Sequence, residues 1–254
     1  MLKGKFKPMM NAMIFAAGLG TRLGSFTQDR PKALVELNGK PLLELAMEKL
    51  SKVGVDRLVV NVHHFADQII EFLNGHHCFG MDVRISDERE MLLDTGGGLK
   101  KAQDLFIPNV PVLIYNVDIL SDMNLNTLLA IHEHSHALVT MAVRQRESSR
   151  YLLFDDQQQL CGWRNIKTGE VKIARSHYHK AKQFAFNGIH VVSPQIFSLI
   201  DEEGAFSIID LYLRLAKENT IMSYNDDSLL WMDLGKPQQL AEAERVMKGR
   251  RVKE

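Results

Sequence analysis

"AMIFAAGLGTRLGSFTQDRPKAL", residues 12–34, decides the fold. Residues 12–17 are short, apolar and followed by Gly18, which reads as a buried strand. Gly18, Gly20 and Gly24 come next, and Arg22, Arg30 and Lys32 crowd the same loop. A strand that runs into such a turn suits backbone amides wrapped around phosphate oxygens. An ordinary turn would account for the glycines. It would not account for three cations that repel one another unless an anion is present. A dinucleotide fingerprint opens at Gly18-Leu19-Gly20, but Leu23 stands where its third glycine belongs. The next strand ends in "NVHH", with no acid for a ribose, and no Gly-Lys-Ser/Thr follows to complete a P-loop. The stretch predicts a polyphosphate site of another kind.

Working outward, strand and helix patterns alternate. Strands are expected at 57–62, 82–86, 111–117 and 137–143, and helices at 41–53, 65–74, 98–106 and 125–134. That alternation predicts a mainly parallel sheet with helices on both faces. The second half is less regular. "RYLLFDD", "QLCGWRN" and "EVKIARS" suggest an antiparallel excursion, followed by a strand at 183–193, a helix at 207–219, a strand at 228–234 and a helix at 237–247. The basic tail "KGRRVKE" is expected to fray.

Bulk composition narrows the classes. The chain has 254 residues, fitting one large α/β domain better than two, and 31 Lys plus Arg balance 31 Asp plus Glu. Balanced charge argues against a nucleic-acid binder. No apolar run approaches the ~18 residues of a membrane span. Lys3, Lys5 and Lys7 before "MMNAMIFAAG" mimic a signal peptide, but Asn11 interrupts the apolar stretch, and cleavage would remove the first strand. Cys78 and Cys161 stand far apart, so a reducing cytoplasm is the expected setting.

Two acids stand at strand ends, Asp118 in "LIYNVDIL" and Asp233 in "LLWMDLGKP". Ligands of parallel sheets sit outside those ends. Two carboxylates there, opposite a basic loop, suggest a shared Mg2+ that bridges protein and phosphates. A second glycine run, "DTGGGLKKA" (94–102), permits close approach of a flat ring or a phosphate. His132-Glu133 and His136 spell the zinc-helix pattern H-E-x-x-H, read here as coincidence at a helix end. His63-His64, at a strand end, is a weak candidate for the cleft.

With these residues assembled, the chain resembles the sugar-phosphate nucleotidyltransferases over nearly its whole length. Their G-x-G-T-R-[LM] followed by P-K stands here as Gly18-Leu19-Gly20-Thr21-Arg22-Leu23, then Pro31-Lys32. Asp118 and Asp233 look like the family's metal acids, and Asn187 in "FNGIHVVSP" resembles its sugar-contacting residue. "LDTGGGLKKA", "NVDILSD" and "WMDLGKPQQLAEAE" echo the short members that act on N-acetylmuramate-1-phosphate. Val117, Ala33 and the spacer Gly24-Ser25-Phe26 depart from common family residues, and a mannose-1-phosphate guanylyltransferase stays open. A non-catalytic sugar-nucleotide binder and a zinc hydrolase are the rival classes.

The resemblance implies a Rossmann-like three-layer αβα fold with a mixed, mainly parallel sheet. It implies a single domain over 1–254, with residues 1–145 mainly for the nucleotide and 146–250 mainly for the sugar. A nucleoside triphosphate, UTP by expectation, and a sugar-1-phosphate would be the partners, with no nucleic acid or membrane. The chain would act as a monomer or small homo-oligomer. Arg22 and Lys32 would be catalytic. Ala17, Gly18, Gly20, Thr21, Arg22 and Gly97 would contact the nucleotide, and the segment 87–94 would read its base.

Overall fold

The computed structural model describes residues 9–251, so Lys3, Lys5, Lys7 and residues 252–254 lie outside it. The chain opens with β1 (Asn11–Phe15), the small hairpin β2 (Glu36–Leu37) and β3 (Lys40–Pro41), and α1 (Leu42–Lys52). Then come β4 (Arg57–Val62), α2 (Ala66–Gly75), β5 (Asp82–Asp87), α3 (Asp94–Lys101), β6 (Val112–Asn116) and β7 (Ile119–Ser121). Next are α4 (Leu125–Ser135), β8 (Val139–Arg144), β9 (Arg150–Phe154), β10 (Leu160–Asn165), β11 (Val171–Ile173) and β12 (Lys182–Val192). The described chain closes with α5 (Ile208–Leu215), β13 (Ile221–Asn225), β14 (Trp231–Asp233) and α6 (Pro237–Arg251). The helix runs through Arg251, so the first four residues of the basic tail continue α6.

The main sheet has ten strands. Along the run β5-β4-β1-β6-β12-β8-β13, every neighbouring pair is parallel except those made by β12. β12 forks the sheet. Its first residues, Lys182 to Phe184, pair with β9, and its end pairs with β6 and β8. The register slips between Phe186 and His190, where Gly188 takes φ +77. A bulge of this kind re-aims side chains.

Strand alternation divides the core between two faces. Ala12, Ile14, Leu58 and Val60 pack with Leu43, Met47, Ile69, Leu128 and Leu240, from α1, α2, α4 and α6. Met13, Val59 and Ile114 point the other way, onto Leu99 of α3 and Leu211, Tyr212 and Leu215 of α5. Each such buried side chain contributes ~1.5–3 kcal/mol, so a one-residue slip of β1 would be costly. The result is the expected mixed, mainly parallel sheet between helical layers.

His132 belongs to this scaffold. It is buried on α4, with Nδ1 2.9 Å from Thr140 Oγ1 and Nε2 3.1 Å from Ser193 Oγ. Burial pushes its pKa down to about 4. His136 sits beyond the helix at φ +51, so the two histidines do not share a helical face. The H-E-x-x-H match is therefore a coincidence, as the sequence reading held.

Candidate active site

The glycine loop leaves β1 and folds into a tight helical turn, Thr21–Thr27, that starts from Gly20 at φ +67. At Gly24 the chain takes φ 59 and ψ −118, a conformation open to glycine alone. Thr27 Oγ1 donates to the carbonyls of Gly20 and Gly24, at 3.2 and 3.3 Å, and fixes the turn. A Cβ on Gly20 would stand 2.9 Å from Lys32 Cβ. Glycine here lets the Lys32 stem pass under the loop.

Lys32 then reaches Asp118 and forms an ion pair with its Oδ2, the two side chains being 12% and 13% exposed. Asp233 comes to the same place through long-range pairing. β14 lies antiparallel to β7, with Asp233 opposite Ile119, and Leu234 N–H donates to the Asp118 carbonyl at 2.8 Å. A Cβ on Gly235 would lie 2.8 Å from both Arg22 Nη2 and Asp233 Oδ1. The Arg22 guanidinium therefore rests against Gly235 beside Asp233. Four charged groups from three segments, Arg22, Lys32, Asp118 and Asp233, converge at the carboxyl ends of β1 and β6.

Beside them opens a cavity of about 410 Å³, lined by Ala17, Gly18, Lys32 and Asp118 together with Asn61, Glu88, Leu92, Asp94 and Thr95. A Cβ on Gly18 would meet nothing within 4 Å, so its backbone faces open space. Glu88 is fully buried. Its Oε1 accepts from Asn61 Nδ2 at 2.7 Å and its Oε2 from Leu93 N–H at 3.1 Å. Asn61 Oδ1 in turn accepts from Ala16 N–H at 2.7 Å and Ala17 N–H at 3.3 Å. This buried chain ties the start of the glycine loop to the segment before α3. A buried carboxylate without those partners would be costly, so the link is rigid.

Glu88, Leu92 and Asp94 fall in the segment expected to read a base; Asn61 was missed. Its signal was a polar residue inside the apolar run "LVVNV". His63, one weak candidate, bonds the Glu88 carbonyl through Nδ1 at 2.7 Å.

The second glycine run differs from its sequence reading. α3 begins at Asp94, so Gly96, Gly97 and Gly98 lie inside the helix and are buried. Added Cβ atoms would stand 2.3 Å from the Phe206 ring, 2.3 Å from the Gly204 carbonyl and 2.8 Å from Glu88 Oε1, in that order. Gly96 N–H donates to the Phe206 carbonyl at 2.9 Å, with Gly97 N–H at 3.4 Å from the same oxygen. The room a flat ring or phosphate was expected to use is filled by the protein itself. Asp94 and Thr95, rather than Gly97, line the cavity.

Asn187 lies under the site. Its side chain is fully buried, with Nδ2 donating to Asp226 Oδ2 at 2.6 Å and Oδ1 unpartnered. Its carbonyl accepts the Trp231 indole N–H at 3.0 Å.

Asp118 and Asp233 offer the hard oxygen donors that suit magnesium, which usually takes one or two carboxylates plus substrate phosphates. Among the described residues no group of three or more His, Cys, Asp and Glu side chains stands ready for a metal, so no zinc-type cage is built.

A glycine-rich, basic loop facing strand-end acids stands at the carboxyl end of a mainly parallel sheet, where ligands of such sheets sit. Residues 11–249 match the family described as "Nucleotidyl transferase", so the chain belongs to that family, as an enzyme of its sugar-1-phosphate class. It is 33% identical over 244 residues to the N-acetylmuramate alpha-1-phosphate uridylyltransferase of Caulobacter vibrioides, covering 92% of this chain and 95% of that one. It is 29% identical to the mannose-1-phosphate guanyltransferase of Yarrowia lipolytica, over 90% of this chain and 61% of that longer one. HddC from Yersinia pseudotuberculosis, complexed with GMP-PN, shares the fold at a TM-score of 0.73 and 21% identity, with 94% of this chain and all of the other covered.

Proposed function

We propose that this chain joins UTP to N-acetylmuramate-1-phosphate with the help of Mg2+, giving a nucleotide-sugar and pyrophosphate in the cytoplasm. The observation that carries the reaction is the side-by-side placement of Asp118 and Asp233, with Lys32 and Arg22 against them. The 33% match to a uridylyltransferase of that sugar phosphate over nearly the whole chain supports the substrates.

An oxygen of the sugar phosphate attacks the α-phosphorus. The new P–O bond forms as the bond to the bridging oxygen breaks, and its electron pair leaves with pyrophosphate. The nucleophile is a phosphate monoester with a second pKa near ~6, already ionised at neutral pH, so no general base is needed. The task is to bring two anions together. Magnesium held by Asp118 and Asp233 would neutralise phosphate charge and polarise the α-phosphate. Lys32 exchanges Asp118 for the α-phosphate. Arg22 holds the β- and γ-phosphates and the departing pyrophosphate. The backbone at Ala17, Gly18, Gly20 and Thr21 lies along the phosphate chain, with residues 1–145 serving the nucleotide. Residues 146–250 serve the sugar, and Asn187 supports its wall through Trp231 and Asp226.

Pyrophosphate release measured for UTP and GTP, each with N-acetylmuramate-1-phosphate and mannose-1-phosphate, tests this. The highest kcat/KM is expected for UTP with the muramate. A clear preference for GTP and mannose-1-phosphate overturns the substrates and leaves the transfer reaction standing.

A further inference from the structure

Beyond Asp233 lie two cations with no part in the reaction as described. Arg144 ends β8, and Arg146 follows two residues later. Their guanidinium carbons lie 5.9 and 4.2 Å from the centroid of the Trp231 ring. Main-chain carbonyls hold them in place. Arg146 donates from Nη1 to Glu147 at 3.2 Å and from Nη2 to Phe186 at 3.0 Å, and Arg144 donates from Nη2 to Ser228 at 2.7 Å.

Among the described residues no carboxylate comes within ion-pairing distance of either arginine, and Arg146 Nε is buried without a partner. Burial pulls the Arg146 guanidinium below its ordinary pKa, Asp233 opposes that, and the Arg144 charge adds to it. The buried carboxylate of this corner, Asp226, is already engaged by Asn187 Nδ2 and by Ser228 N–H at 3.0 Å. Two adjacent, partly desolvated cations with no carboxylate in ion-pairing contact cost free energy that a bound anion would offset.

Position says which anion. The reacting phosphate must meet Asp118 and Asp233. Trp231 and Asp233 share one face of β14, two residues apart, or ~7 Å along the strand. That is about the span of a pyranose ring, so a group that meets Arg146 is carried on the sugar rather than on its reacting phosphate. Stacking on Trp231 fixes the guanidinium plane, and the carbonyl bonds use one N–H of each terminal nitrogen. Each terminal nitrogen keeps a second N–H to donate, and a guanidinium's paired donors suit a carboxylate.

We propose that Arg146, backed by Arg144 and Trp231, is the specificity residue that reads a carboxylate borne by the sugar of the sugar-1-phosphate. This rests on the nucleotidyl-transfer reading of the neighbouring acids. The test compares kcat/KM for N-acetylmuramate-1-phosphate and for N-acetylglucosamine-1-phosphate, which has the same ring without the lactyl acid, with UTP and magnesium. Arg146→Gln is expected to lower the muramate-to-glucosamine ratio by roughly 10–100-fold, the worth of hydrogen bonds to a charged group, mainly through KM. Arg146→Lys should restore part of it, because an ammonium lacks the fork. Thermal melting of each variant checks the fold. An unchanged ratio, including equal losses on both sugars, overturns the proposal and assigns Arg146 to the shared phosphate or to the scaffold. Wild-type turnover of neither sugar overturns the substrate reading and this proposal with it.

Discussion

Two glycine-rich segments stand close to the same cavity and use glycine for different ends. In the loop at 18–34, Gly18 borders empty space and Gly20 makes way for Lys32. In the run at 96–98, every missing Cβ is replaced by another part of the chain, whether the Phe206 ring, the Gly204 carbonyl or Glu88. Glycine within a helix costs roughly 1 kcal/mol relative to alanine. α3 accepts that cost twice because its backbone must lie close to the segment before α5, and a third time to make room for Glu88. A glycine run in a sequence thus announces a close approach and leaves open whether a ligand or the protein makes it. The loop resolves the ambiguity by carrying Arg22 and Lys32. The run's basic residues bond backbone carbonyls, Lys100 that of Glu202 and Lys101 that of Asp87.

The comparison is sharpest at Arg22. Arg22→Ala should lower kcat by ~10²–10³, as for loss of one preorganised donor to developing charge, with the melting temperature unchanged. Arg22→Lys should recover part. A raised KM at constant kcat would reduce Arg22 to a binding residue and blur the contrast with the run. Next come paired alanines. Gly97→Ala places a methyl against a backbone oxygen that cannot swing away, so overlap should outweigh the better helix propensity and cost about 1–3 kcal/mol. That lowers Tm by ~2–4 °C per kcal/mol in a chain of this size. Gly18→Ala meets no protein atom, so its stability should stay within about 0.5 kcal/mol while kcat/KM for UTP falls about tenfold. Calorimetry and steady-state kinetics on both variants decide. If Gly18→Ala melts early and Gly97→Ala does not, the two roles are reversed.

Much of the loop was legible because its chemistry is local. A strand, glycines at short spacing and clustered cations all lie within residues 12–34, and Asp118 follows a strand directly. The run at 96–98 was misread because its partners, Gly204 and Phe206, are about a hundred residues away and lie in no pattern of their own. The meeting of Asp233 with Asp118 has the same character. It depends on the three-residue strands β7 and β14 finding each other, and such short segments carry little periodicity. Asn61 and Glu88 form one buried link, yet each alone reads as a stray polar residue at a strand. β13 was also missed, since its pairing with β8 rather than its own alternation makes it a strand.

The most direct test of the account removes charge from the two acids and leaves their shape. Asp118→Asn and Asp233→Asn would be purified, checked for wild-type melting behaviour, and assayed for pyrophosphate release from UTP and N-acetylmuramate-1-phosphate in magnesium. Magnesium contributes several kcal/mol to such a transition state, so each variant should lose at least ~10² in kcat while remaining folded. Near wild-type turnover by both folded variants would contradict the claim that Asp118 and Asp233 together make this site a nucleotidyl-transfer centre.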